Sequence, residues 1–236
     1  MKIIGLIGGM SWESTAVYYR RLNEEARRRL GGLSSAEVLL RSVDFTRIVE
    51  KQKRGAWDEA AAELAGIARS LTDAGAEMVL ICTNTMHKVA DAVQAAVDVP
   101  VLHIADVTAS AIRARGFKRP LLLATAYTME QEFYRERLRA AHGLAPLVPD
   151  AEGRALVHRV IFDELCQGIV RDESRAAYRR LVEQGRRDGA DCVILGCTEI
   201  GLLIGAADVC LPCFDSTILH ADAALDLALQ GRALAA

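Results

Sequence analysis

Residues 189–199 read Gly-Ala-Asp-Cys-Val-Ile-Leu-Gly-Cys-Thr-Glu, and residues 75–85 read Gly-Ala-Glu-Met-Val-Leu-Ile-Cys-Thr-Asn-Thr. Laid over each other without a gap, at an offset of 114 residues, both begin Gly-Ala-acid, run through apolar positions and end in small polar residues. An apolar run bounded in this way predicts a parallel strand covered on both faces. The polar end is the carboxyl end, the edge at which open parallel sheets bind ligands. The alignment sets Cys197 against Thr83 and leaves Cys82 against Gly196.

Two further pairs keep the same order. Lys2–Met10 (Lys-Ile-Ile-Gly-Leu-Ile-Gly-Gly-Met) and Arg119–Thr128 (Arg-Pro-Leu-Leu-Leu-Ala-Thr-Ala-Tyr-Thr) each read as a strand opening into a turn. Val99-Pro-Val-Leu-His-Ile answers Leu211-Pro-Cys-Phe-Asp-Ser at an offset of 112. An internally duplicated α/β unit is the economical reading. The first domain is expected over residues 1–105, with a C-terminal helix at about 217–236 packing back on it, and the second over residues 106–216. Each should hold a mostly parallel sheet flanked by helices, with the active site in a cleft between them.

Between the strands, helices are expected at Ala16–Leu30, Trp57–Ala74, Met86–Ala96, Asp106–Arg115, Met129–Ala141, Glu152–Gly168, Glu173–Asp188 and Leu219–Leu234. Ser11 and Ser14 fit the start of the first and Gly31-Gly32 its end. A chain of 236 residues that is 51% hydrophobic and 25% charged has ample material for a core. Its net charge of −2 offers no footprint for nucleic acid or an anionic membrane surface. The apolar runs are too short to span a bilayer, and the first residues already read as a strand rather than a signal peptide. A cytoplasmic location is expected, with the six cysteines as reduced thiols.

Cys197 stands where a strand gives way to a helix. Backbone N–H groups and a helix start there should lower a thiol pKa from about 8.5, the setting of a reactive cysteine rather than of a small buried hydrophobe. Asn84, Thr85, Thr198 and Glu199 suit helix caps, and the same exposed N–H groups suit a substrate carboxylate. Cys82, one residue before Thr83, should point to the opposite face and into the core.

Gly5–Thr15 (Gly-Leu-Ile-Gly-Gly-Met-Ser-Trp-Glu-Ser-Thr), Thr83–His87 (Thr-Asn-Thr-Met-His) and Gly196–Ile200 (Gly-Cys-Thr-Glu-Ile) together resemble the aspartate/glutamate racemase family of cofactor-independent amino-acid racemases. The likeness is to the aspartate racemase and broad-specificity branch, and it extends over nearly the whole chain. It implies two pseudo-twofold-related α/β domains, an acid/base residue from each, no cofactor, a small-molecule amino-acid substrate and a homodimer. Many members of that family have Cys-Asn-Thr where this chain has Thr83-Asn84-Thr85, so a threonine replaces the first acid/base cysteine.

The chemistry implied is removal of the α-proton on one face and reprotonation on the other. A good acid/base group titrates near the working pH. A thiol can act as that base, whereas a threonine hydroxyl is far too weak an acid to stand as an alkoxide. Cys197 and Thr83 as the catalytic pair therefore predict a kinetically lopsided racemase.

Met10 and Ser11 match the family's substrate-side glycine turn, and Thr125 falls opposite Gly8 in the repeat. As a dinucleotide loop, Gly5-x-x-Gly-Gly is a poor match to G-x-G-x-x-G. Arg47, Lys51 and Gln52 resemble the family's other substrate-side loop, where an arginine can grip a carboxylate with two hydrogen bonds. The lysine that aspartate racemases tend to carry near Leu165–Gly168 is missing. Cys192, Cys197, Cys210 and Cys213 have a zinc-like spacing, but residues in strands read better as core thiols, and no metal is expected. His87 reads as a structural residue at a helix start. Competing readings are a related hydantoin racemase, maleate isomerase or decarboxylase, or a two-domain protein that binds an amino acid without reacting.

Overall fold

The first strand, β1 (Ile4–Gly8), is buried throughout and pairs on both sides. The computed structural model describes residues 1–230. From β1 the chain passes through helix α1 (Trp12–Leu30), edge strand β2 (Val38–Ser42), helices α2 (Phe45–Arg54) and α3 (Trp57–Asp73), and strand β3 (Met78–Ile81). A 3-10 turn (Thr85–Val89) and the short α4 (Ala90–Gln94) lead to β4 (Val101–Leu102). These strands form a parallel sheet in the order β2-β1-β3-β4.

Next come α5 (Ile104–Ala114), β5 (Pro120–Leu123), α6 (Ala126–Glu130), α7 (Glu132–His142) and α8 (Ala151–Asp163). A 3-10 turn (Leu165–Gln167), α9 (Asp172–Arg187), β6 (Cys192–Leu195), α10 (Ile200–Leu203), β7 (Cys213–Asp215) and α11 (Ser216–Leu229) complete the described chain. The second sheet is also parallel, in the order β5-β6-β7. The protein is therefore α/β, with parallel sheets flanked by helices. Its described residues divide into two compact units, Met1–His103 with residues 220–230, and Ile104–Leu219. The expected terminal helix extends past residue 230, and that part lies outside the described residues. Among the described residues no helix is long and apolar enough to cross a membrane.

Alternation along the strands decides which helix covers which face. In the first unit Ile4, Leu6, Met78 and Leu80 pack with Tyr18, Leu22 and Ala26 of α1 and with Ala221, Ala224 and Leu225 of α11. Ile7, Val79 and Ile81 join Leu64, Ala68 and Leu71 of α3 in a separate cluster. Each such fully buried Ile or Leu contributes about 1.5–3 kcal/mol. Tyr18, Leu22 and Ala26 recur at four-residue spacing on one stripe of α1, as a helix covering a sheet requires. Ser11 caps that helix by accepting the Ser14 N–H at 3.3 Å, and Gly31 closes it. Toward its end Glu25, 5% exposed, is surrounded by Arg21, Arg28 and Arg29, while Arg21 and Arg29 also pair with Asp222 and Asp226 of α11.

The two sheets repeat one pairing register. Ile4 pairs with Met78 and Pro120 with Cys192, while Val79 pairs with Val101 and Val193 with Cys213. Leu147 bridges Leu121 in parallel, a one-residue trace in the second unit of what β2 is in the first.

Several elements differ from the sequence expectation. The strand expected at Val99–Ile104 shrinks to two residues: Gln94 turns its side chain onto Val97 O, Val99 O and Val101 N before it, and α5 already begins at Ile104. The helix expected at Met86–Ala96 is a 3-10 turn followed by one α turn. That expected at Met129–Ala141 breaks at Gln131, which is extended (ψ 145°) between α6 and α7. Cys210 lies outside the last strand and is exposed, donating its thiol proton to Glu183 at 3.1 Å, so it is not a core thiol.

Candidate active site

In the first unit the carboxyl ends of β1 and β3 lie side by side, and the polar residues singled out in the sequence gather there. Gly9 turns the chain with φ +85°, and any Cβ on it would run into the backbone of Val43. The turn is tied down by Thr15, whose Oγ1 accepts the Gly9 N–H and donates to Ser11 O, both at 2.8 Å. Met10 and Ser11 are consequently buried. Ser14 Oγ reaches across to Cys82 O at 3.4 Å, which joins this turn to the end of β3.

Thr83 follows β3 by two residues and is half-buried. Its backbone is held twice, its N–H donating to Ile81 O at 2.8 Å and its carbonyl accepting Nδ1–H of His87 at 2.8 Å. Cys82 is fully buried in the cluster against α1, and burial pushes its thiol pKa far up. Asn84 and Thr85 are buried in the turn that follows. Asn84, at the head of that turn, makes no side-chain cap to it.

Helix α2 lies over the same edge through Gln52, which is buried and donates Nε2–H to Met86 Sδ at 3.2 Å. Lys51 is half-buried and paired with Glu63. Arg47 is exposed, 3.5 Å from the same carboxylate. Behind Thr83 lies an imidazole cluster, the rings of His87 and His103 being 4.6 Å apart and those of His87 and His220 5.7 Å apart. His220 donates Nε2–H to Leu102 O at 2.9 Å, so its Nδ1 accepts the Tyr18 hydroxyl at 2.8 Å. Burial lowers its pKa to about 3 and keeps the ring neutral.

In the second unit Cys197 likewise follows its strand by two residues, at the carboxyl end of β6 beside that of β5. Here the structure reverses an expectation. The helix after Cys197 begins only at Ile200 and is four residues long. Besides the Glu199 backbone N–H, which favours the thiolate, the thiol meets the Glu199 carboxylate, donating to Oε2 at 2.9 Å while Thr198 Oγ1 donates to the same oxygen at 2.7 Å. Cys197 is 9% exposed. Burial first, and the Glu199 charge second, hold its thiol pKa well above the ordinary value instead of below it.

Thr198 and Glu199 are buried, as is Thr125 at the end of β5, whose Oγ1 lies 3.3 Å from that of Thr128. His158 accepts the Ala126 N–H at 3.2 Å and so fixes the turn after Thr125; burial lowers its pKa.

Each unit therefore collects its own candidates at the carboxyl edge of its own sheet, with α2 adding Arg47, Lys51 and Gln52 in the first. Reading the sequence did not single out His103 and Asp215. The offset of 112 that matches β4 to β7 also sets these two against each other, His103 just past β4 and Asp215 as the last residue of β7. Asp215 accepts the N–H groups of Thr217 and Ile218, and burial raises its pKa. The repeat held that signal.

The family model for Asp/Glu/hydantoin racemases matches residues 7–224. A candidate Asp/Glu racemase from Yersinia pestis has a similar structure with a TM-score of 0.91 at 52% identity, over 98% of this chain and 100% of that one. An aspartate racemase homologue from Pyrococcus horikoshii superimposes with a TM-score of 0.85 at 35% identity, over 98% and 100%. The aspartate racemase of Picrophilus torridus, 23% identical, shares the fold with a TM-score of 0.73 over 100% of this chain and 96% of that one.

Proposed function

The chain belongs to the Asp/Glu/hydantoin racemase family, and from that premise we propose that it is a cofactor-independent racemase of acidic or several amino acids. Cys197 and Thr83 act on opposite faces of the α-carbon. The observation that carries this reading is positional. In two sheets of identical register, Cys197 and Thr83 each stand two residues beyond the last residue of the middle strand.

Cys197 as thiolate removes the α-proton, and Thr83, directly or through a water it orients, supplies one on the other side. The α-carboxylate suits the N–H groups and hydroxyls of Asn84, Thr85, Thr125 and Thr198, beside Met10 and Ser11. Arg47, exposed and 3.5 Å from Glu63, suits a substrate's side-chain carboxylate. Lys51 and Gln52, engaged with Glu63 and Met86, hold α2 in place around it. A hydroxyl cannot take the thiolate's part, so initial rates from the two enantiomers differ although the equilibrium constant is unchanged. The enzyme works in the cytoplasm as a homodimer on a free amino acid.

The test is incubation of the enzyme with each enantiomer of glutamate and aspartate in D₂O, followed by NMR and chiral chromatography. Solvent deuterium at Cα, accompanied by the opposite enantiomer and abolished by Cys197→Ser, is expected. Binding without exchange would replace the racemase by an amino-acid binding protein, and equal initial rates from both enantiomers would remove Thr83 from its role.

A further inference from the structure

The Cys197 thiol is oriented as a donor toward Glu199 Oε2 at 2.9 Å, and the Thr198 hydroxyl steadies that oxygen from 2.7 Å. Glu199 is 2% exposed. Among the titratable groups nearby, Cys166 of the 3-10 turn and Tyr178 on α9 interact with Cys197; Glu164 bonds Ser174 and acts on Tyr178, and Asp215 at the end of β7 faces Gly201. A thiol in such a place gains little by releasing its proton to bulk water. Release would leave two like charges in contact, both screened from solvent, which desolvation and repulsion oppose.

We propose that Glu199 is the positioning residue that accepts the Cys197 proton and so creates the thiolate, an assignment that rests on the racemase reading above. The Cys197 S–H bond breaks as the Glu199 Oε2–H bond forms, and the pair keeps a single negative charge throughout. The thiolate then takes the substrate α-proton, remaking S–H, and the electron pair of the broken C–H bond stays on the α-carbon until the Thr83 side protonates it. The surplus proton leaves Glu199 for water, and water replaces the proton given on the Thr83 side.

The repeat gives a second reason. Thr85 occupies the place of Glu199 in the first unit, and it is Thr83, not a thiol, that precedes it. The carboxylate accompanies only the residue that has to become a base.

A shared proton has a signature that does not depend on turnover. Between the two macroscopic pKa values of a coupled pair, the fraction present as thiolate with carboxylic acid is independent of pH. Iodoacetamide labelling of Cys197, followed by peptide mass spectrometry without substrate, should therefore be nearly flat between about pH 6 and 8 in the wild type. In Glu199→Gln it should climb about tenfold per pH unit, as for an isolated thiol below its pKa. α-Proton exchange in Glu199→Gln should fall by about 10²–10⁴-fold, with KM changed less than threefold, and Glu199→Asp should recover part of the rate.

A wild-type labelling rate that already climbs tenfold per unit overturns the proposal, as does exchange in Glu199→Gln within threefold of wild type. A loss confined to KM overturns it too, since Glu199 would then touch the substrate. If Glu199→Gln fails to fold by circular dichroism, the wild-type labelling profile decides alone. If wild type exchanges no α-proton, the racemase reading fails while the labelling profile still reports on the pair.

Discussion

Replacing Glu25 by Gln tests how the arginine-rich end of α1 is held. The Arg28 guanidinium first, then those of Arg21 and Arg29, lower the Glu25 pKa from an ordinary 4.5 to about 2. Taken whole, that shift corresponds to about 3 kcal/mol at neutral pH. Arg28 is two-thirds open to water and Arg21 nearly one-third, so screening leaves about 1–2 kcal/mol. For a chain of this size the change lowers Tm by about 2–8 °C. The sign follows from the depressed folded-state pKa: the contribution is complete above the unfolded value of 4.5, shrinks as pH falls, and drops below half by about pH 3. Thermal unfolding followed by circular dichroism on wild type and Glu25→Gln at pH 7, 4 and 3 gives the measurement. A stability gap that stays constant from pH 7 to pH 3, or no gap at pH 7, would refute the account.

Thr83→Cys supplies the second thiol, and the slower of the two directions should speed up at least tenfold toward the faster; chiral chromatography of initial rates reads this, and an unchanged ratio counts against Thr83. Gly201→Ala would place a Cβ 2.6 Å from Asp215 Oδ2. It should cost about 1–3 kcal/mol in chemical denaturation, most of it recovered when Asp215→Ala is added, whereas additive losses would show the two do not meet. Among the cysteines outside the catalytic pair, native-state alkylation should reach exposed Cys210 first and fully buried Cys82 and Cys192 last, an order that peptide mapping checks directly.

The strands were legible because a parallel strand buried on both faces leaves an unbroken apolar run, and the duplicated runs fixed which positions correspond. Ser11 and Gly31 marked the ends of α1 by capping chemistry that is local in sequence. The short turns were harder. Thr85–Val89 winds as 3-10, with His87 bonding back to Thr83 O and Lys88 lying 4.1 Å over the Trp57 ring. Only the second of these contacts is long-range, yet neither shows in the periodicity.

The environment of Cys197 escapes the sequence for a related reason. The sequence places a thiol before a helix, but it does not say that the intervening turn folds Glu199 back onto the sulfur and delays the helix to Ile200. For Arg47, Lys51 and Gln52 the pattern indicated one helix, and only packing shows that Gln52 points inward while Arg47 stays exposed.

Equal register in the two sheets makes the differences between their edges informative. Position by position past β3 and β6, Thr83 stands against Cys197, Asn84 against Thr198, Thr85 against Glu199 and His87 against Gly201, and at the ends of the next strands His103 stands against Asp215. The first edge carries hydroxyls, an amide and imidazoles. The second carries a thiol and two carboxylates, with Glu199 bonded to the thiol and Asp215 beside Gly201. At the aligned catalytic positions the second edge offers a thiol, which as thiolate can take and keep a proton, and the first a hydroxyl, which can only pass one on, itself or through a water. In the proposed reaction this asymmetry sets the direction of easy transfer, from the α-carbon toward Cys197 and from the Thr83 side toward the α-carbon. The same scaffold could be made even-handed only by changing what stands past the strands, because the strands and their pairing are already alike.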